Sequence, residues 1–141
     1  GVFEVSLGGK SGLPEMGPYN AKCRVNSLSD GRFAFSGAMY AGAGAEIGPT
    51  ALLEILDDTS NVYVLVGSKR CQCLDLAILT HIGINPKQMK IIVVKSTVHF
   101  RGDFEQITDL IMHAQSPGAN YCSLETISYK NLRPNVRRNL K

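Results

Sequence analysis

Residues 90–94 read Lys-Ile-Ile-Val-Val, and this β-branched run constrains the fold more tightly than any other stretch of the chain. Val and Ile are stiff at χ1 and favour extended backbone. An apolar run without alternation suits a strand covered on both faces, so a buried strand is predicted here. It leads directly into Lys95-Ser96-Thr97-Val98-His99-Phe100-Arg101, a dense polar and charged cluster. From Asp103 the period changes: Phe104, Ile107, Leu110, Ile111 and Ala114 follow helical spacing, with Asp103 as a cap and Glu105 near the positive end of the helix dipole. The cluster is thus expected in a strand-to-helix connection, the place where open α/β sheets bind ligands.

The first half of the chain reads mainly as strands. Residues 2–7, 21–28, 33–35, 50–56 and 61–66 carry extended patterns. Asp30-Gly31 lies between two of them, a hairpin signal, and Asp57-Asp58-Thr59-Ser60 joins another two. Residues 37–49 are too rich in glycine for a stable helix and too apolar for a solvated linker. They are expected to pack while approaching another backbone closely, as a lid or an interface loop. Residues 74–82 read as a short helix with Asp75 near its start and Gly83 as its stop, followed by an Asn85-Pro86 turn. Ser116-Pro117-Gly118 breaks the pattern beyond the second helix, leaving one short apolar segment at residues 124–127. The fold class is therefore α/β or α+β, with a mixed sheet, antiparallel hairpins in the first half and a strand-helix unit in the second.

At 141 residues and 44% hydrophobic the chain has the size and composition of one domain with a true core. Its net charge of +3 comes from 15 basic and 12 acidic residues, and much of the excess lies in residues 130–141. Basic residues interleaved with stacking aromatics are lacking and Trp is absent, so no nucleic-acid partner is expected and the tail reads as solvated. No apolar run reaches 18 residues and no charged-then-apolar leader is present, so a soluble, cytoplasmic chain is expected. The four cysteines, Cys23, Cys71, Cys73 and Cys122, read as reduced thiols, because Cys71-Gln72-Cys73 is too closely spaced for an ordinary disulfide framework. The chain opens Gly1-Val2-Phe3 without an initiator Met, which suggests a start inside a longer polypeptide.

His99 is the histidine that the chemistry singles out, since Lys95, Ser96 and Arg101 flank it. It can act as general acid or base, as a metal ligand or as a donor to an anion, or it can simply satisfy loop carbonyls. His81 and His113 fall on predicted helices without partners at ligand spacing. Ser96 lacks both the Ser-x-x-Lys order and the Gly-x-Ser-x-Gly elbow of serine nucleophiles. Lys95 and Arg101 fit better as fixed charges that hold a carboxylate or stabilise an oxyanion. A second cluster, Ser68-Lys69-Arg70 followed by Gln72, ends the strand at 61–66, so the two clusters either converge on one site or are two solvated ends. The loop Gly8-Gly9-Lys10-Ser11-Gly12 does not meet the phosphate-loop pattern and reads as a strand-ending turn or an anion cradle. No zinc site can be assembled: Cys-x-Cys has no second pair, and acidic residues do not gather around a histidine.

These residues bring one family into view. Lys95-Ser96-Thr97-Val98-His99-Phe100-Arg101 closely resembles the Lys-Ser-Ser-x-His-Phe-Arg signature in the C-terminal region of MlrC-type proteins, the microcystinase C family of zinc metallopeptidases. Leu7-Gly8-Gly9-Lys10, Ser29-Asp30-Gly31-Arg32-Phe33, Gly48-Pro49-Thr50-Ala51, Ser68-Lys69-Arg70-Cys71-Gln72, His81-Ile82-Gly83-Ile84 and Pro117-Gly118 resemble further blocks of that region, in the same order. Leu76 stands where the family has Pro, and only Arg133-Pro134 represents its closing motif.

The resemblance implies an MlrC-type C-terminal domain over residues 1–134 with a basic tail at 135–141. It implies zinc as cofactor, with ligands outside this chain in an N-terminal metal-binding domain of the same protein, and small peptides as substrate. His99, Arg101, Lys95 and Ser96 would then face the catalytic cleft, and Lys10, Arg70 and Gln72 would contact substrate. The alternative is a binding or regulatory module that keeps the fold without hydrolysis.

Overall fold

The structure, a computed structural model, describes residues 1–10, 12, 17–56, 61–114, 116 and 124–138. The turn expected at 57–60, Pro117-Gly118, Cys122 and the last three residues of the basic tail lie outside the described residues.

Six strands and two short α-helices form among the described residues. They are β1 (Val2–Leu7), β2 (Tyr19–Ser29), β3 (Arg32–Ala34), β4 (Gly44–Glu46), β5 (Thr50–Ile55), β6 (Tyr63–Gly67), α1 (Ala77–Thr80) and α2 (Arg101–Phe104). The chain divides into two compact units, one of residues 1–5 and 20–111, the other of residues 6–19 and 112–141.

In the first unit a four-stranded sheet has the order β1-β2-β5-β6. β5 pairs antiparallel with β6 from Thr50↔Gly67 to Glu54↔Tyr63, the hairpin expected from the sequence. It also pairs antiparallel with β2, with an irregularity between Val25 and Ser27. β5 is central and buried on both faces: Thr50, Leu52, Leu53 and Ile55 are all buried. β2 alternates, with Ala21, Cys23, Val25 and Ser27 less exposed than their neighbours, as period 2 requires of a strand with one wet face. The rest of this core comes from Ile47, Ala77, Ile78, Ile82, Phe100 and Phe104. The α+β expectation holds.

Several sequence expectations are corrected. Asp30-Gly31 does turn the chain, with Gly31 at φ +74°, but β2 and β3 do not pair as a hairpin. β3 instead pairs with β4 in a separate two-stranded sheet. The cause is packing: a Cβ on Gly31 would lie 2.0 Å from the Gly48 carbonyl oxygen, and Ile47 N–H donates to the Gly31 carbonyl. That close approach draws the chain away from β2.

Residues 91–94 run outside both sheets, with Ile91 80% and Val93 91% exposed, so the predicted buried strand is absent. The predicted long helix from Asp103 is also absent. α2 runs into a single 3-10 turn at Glu105–Ile107 and stops, and Leu110 stands exposed. Helical spacing alone does not sustain a helix whose apolar stripe has nothing to cover it. Asp103 is not a cap for α2 either; its carboxylate accepts from Leu76 N–H at 3.3 Å. Residues 74–82 contain α1 as expected, with Asp75 accepting from Ala77 N–H at 2.7 Å and Gly83 at φ +91° behind it.

The second unit holds the loop after β1 and a 3-10 turn at Leu124–Thr126. A Cβ on Gly9 would lie 2.4 Å from Pro18 N, so this loop is tight because the returning chain packs on it.

Candidate functional site

The cluster at 95–101 is held by the aromatic residue in its middle. Phe100 is buried and meets Phe104 edge-to-face, with centroids 6.3 Å apart, a geometry that the ring quadrupoles favour. A short turn forms around it: Arg101 N–H donates to the Val98 carbonyl at 3.0 Å and Phe104 N–H to the Phe100 carbonyl at 3.0 Å. His99 therefore projects from an anchored turn while remaining exposed.

The second cluster arrives from β6. Ser68 N–H donates to the Pro49 carbonyl and Lys69 N–H to the Ile47 carbonyl, which fixes the start of the loop. Its end is fixed by Asp75, 1% exposed, whose carboxylate accepts from Gly37 N–H at 2.7 Å, Ser36 Oγ–H at 3.0 Å and Ala77 N–H at 2.7 Å. Burial pushes the Asp75 carboxyl up, yet these donated hydrogen bonds outweigh it and hold the pKa below the usual aspartate value. Gln72 is carried between the two anchors.

One residue of the second cluster, Gln72, meets the first. His99 Nδ1 lies 2.9 Å from Gln72 Nε2 and 3.2 Å from Gln72 Oε1. Either the amide nitrogen donates to an unprotonated Nδ1, or Nδ1–H donates to the amide oxygen. In the first case Nε2 carries the ring proton and is a hydrogen-bond donor. Gln72 Nε2 also donates to Ser96 Oγ at 3.4 Å. Gln72, Ser96 and His99 are thus one hydrogen-bonded group built from two distant segments.

The other predicted residues are placed less centrally. Arg101 is ion-paired with Glu105 and lies 5.7 Å from the Phe100 ring centroid, so its charge is partly engaged. Lys95 and Arg70 are exposed, and Lys10 belongs to the second unit. His81 stacks on Phe33 with centroids 4.7 Å apart and packs rather than facing the site.

Beside His99 is a small cleft of about 40 Å³, lined also by Gly37, Met39, Leu74, Asp75 and Asp103. By this measure one water needs about 10–15 Å³, so the cleft has room for a few water molecules. Asp75 and Asp103 were legible in the sequence only as helix starts; their place beside His99 depends on Gly37, whose Cβ, if present, would lie 2.3 Å from both Asp103 carboxylate oxygens.

The thiols flanking Gln72 are poor metal ligands as they stand. Burial, with the negative charges of Cys71 and Asp75, pushes Cys73 up to about 11, and burial raises Cys71 as well. Among the described residues no three His, Cys, Asp or Glu side chains gather to hold a metal ion. The residues described here do not fit a zinc centre. Among them, too, no helix is long and apolar enough to cross a membrane.

The family model described as MlrC C-terminus matches residues 1–131. The crystal structure of a "Putative metallopeptidase" from Mesorhizobium sp. BNC1 is similar to this chain, with a TM-score of 0.63 at 23% identity over 76% of the chain. The matched part is 21% of that protein, so the chain spans about a fifth of its length. No curated protein matches the chain.

Proposed function

The chain belongs to the MlrC C-terminus family, and from that premise we propose that it is the C-terminal domain of a zinc-dependent metallopeptidase or amidohydrolase acting on small peptides. The domain covers residues 1–134, with the basic stretch 135–141 as a tail. The observation that carries the reading is the convergence of Gln72 and Ser96 on His99. On this reading His99 presents a ring N–H to the substrate carbonyl, oriented by Gln72, and Lys95 and Arg101 supply positive charge near developing negative charge. Ser96 and Arg70 contribute substrate contacts. On this reading the zinc ligands belong to an N-terminal domain of the same protein.

His99→Ala and Arg101→Ala in the full-length enzyme test this. Loss of one oxyanion donor costs roughly 10²–10³-fold in turnover. A fall of that order in kcat for His99→Ala, with an unchanged melting profile, is the expected result. Unchanged turnover in both variants would sink the catalytic role. A second reading, a module that binds without hydrolysis, rests on the described residues, which gather no set of side chains to hold a metal ion. It predicts that His99→Ala weakens peptide binding in a protein that has no turnover.

A further inference from the structure

We propose that residues 91–94 form an interface strand, taken up by an exposed sheet edge elsewhere in the full-length polypeptide. The proposal rests on the reading above, in which this chain is one part of a larger protein. Ile91-Ile92-Val93-Val94 has the residue types of a strand covered on both faces. Yet the segment lies outside every sheet, and among the described residues no backbone hydrogen bond engages any of the four. Its side chains alternate as in a strand: Ile92 and Val94 are half-buried, while Ile91 and Val93 are 80% and 91% exposed. One row already faces its own domain and the other awaits a cover.

An extended, unpaired, apolar segment of this kind is a template for strand addition. What occupies it follows from length and charge. The similar crystal structure is about five times the length of the matched region, so ample polypeptide of such a protein lies outside this domain. Self-pairing of the segment with a second copy is disfavoured in the register that matches all four apolar residues, because of the lysines at each end of the run. In the antiparallel register centred on Ile92 and Val93, Lys90 of each copy would stand opposite Lys95 of the other, and like charges directly opposite destabilise a pair. The segment runs on into Ser96 and His99, so docking it would place the Gln72, Ser96 and His99 group at the seam between domains.

Hydrogen–deuterium exchange of the full-length protein, read by mass spectrometry, tests this directly. The amides of residues 91–94 should exchange at least about 100-fold slower than in an unstructured peptide, and Ile91→Asp/Val93→Asp should abolish that protection. Exchange of the wild type at unstructured rates overturns the proposal. So does protection that disappears on dilution together with dissociation of a dimer, which would assign the edge to a second copy. If the double variant fails to fold, the wild-type measurement still decides. Protection in a protein without hydrolytic activity leaves the interface standing and defeats only the peptidase reading; full activity with unprotected amides does the reverse.

Discussion

Asp75 is the residue on which the local geometry turns, because three donors from two segments end on one buried carboxylate. Gly37 N–H and Ser36 Oγ–H come from the loop after β3, and Ala77 N–H opens α1. Removing the acceptor leaves buried donors unsatisfied, at about 1–3 kcal/mol each in the worst case. Asp75→Ala should therefore lower unfolding free energy by about 2–4 kcal/mol in urea titrations. Asp75→Asn should cost less, but not nothing, since its NH₂ must face one of the donors. The pH dependence has a definite sign. The folded pKa lies below the ordinary value of 3.8, so Asp75 contributes stability that is fully present above the unfolded pKa and is lost as pH falls through the folded one. The stability gap between wild type and Asp75→Asn should accordingly be constant above about pH 5 and narrow below pH 4. The cysteines offer a second residue-level check. With its pKa near 11, about 0.1% of Cys73 is thiolate at pH 8, and Cys23 is fully buried. Iodoacetamide at pH 8 should alkylate the more exposed Cys71 first, Cys73 slowly and Cys23 only on unfolding; equal rates at Cys71 and Cys73 would contradict the burial described here.

Between elements, close backbone approaches decide more than propensity does. Gly31 and Gly37 separate two kinds of approach. A Cβ on Gly31 would strike the Gly48 carbonyl oxygen at 2.0 Å from a left-handed backbone, and neither can yield cheaply. At Gly37 the obstacle is the Asp103 carboxylate, a side chain that can rotate if it gives up its bond to Leu76 N–H. Gly31→Ala should therefore cost about 3 kcal/mol or more and Gly37→Ala about 1–2 kcal/mol. Thermal melts that rank them the other way would show that the β3–β4 sheet does not depend on the Gly31 contact. The same contrast explains what the sequence made legible. β1, β2 and the β5–β6 hairpin follow from period and turn residues, and α1 follows from Asp75 and Gly83, because those signals are local. The partner of β2 was not legible from Asp30-Gly31, since the turn residue is the same whether the strands beyond it pair or part. The strand predicted at 90–94 fails for a different reason: its composition reports that it is to be covered, and no strand described here covers it.

At the scale of the whole protein, the site is half legible for the same reason. Residue types at two predicted strand ends suggested convergence, but a separation of 27 residues between Gln72 and His99 carries no spacing rule that could place their side chains 2.9 Å apart. That contact depends on loop anchors at Ile47, Pro49 and Asp75. The metal is the sharper case. Hydrolysis by a metallopeptidase needs a cation held by at least three protein ligands, and the described residues gather no such set. Folding of this domain and loading of the metal should then be separable. EDTA should leave the melting temperature of this chain unchanged within about 1 °C, because a ligand that binds no folded-state site contributes nothing to its stability. On the proposed reading, the same treatment of the full-length protein should abolish peptide hydrolysis, and added Zn²⁺ should restore it. Stoichiometric zinc in this chain alone, with a chelator-dependent loss of several degrees, would move the ligands into this domain. It would also require Cys73 to ionise despite a pKa near 11, at a cost the metal must offset.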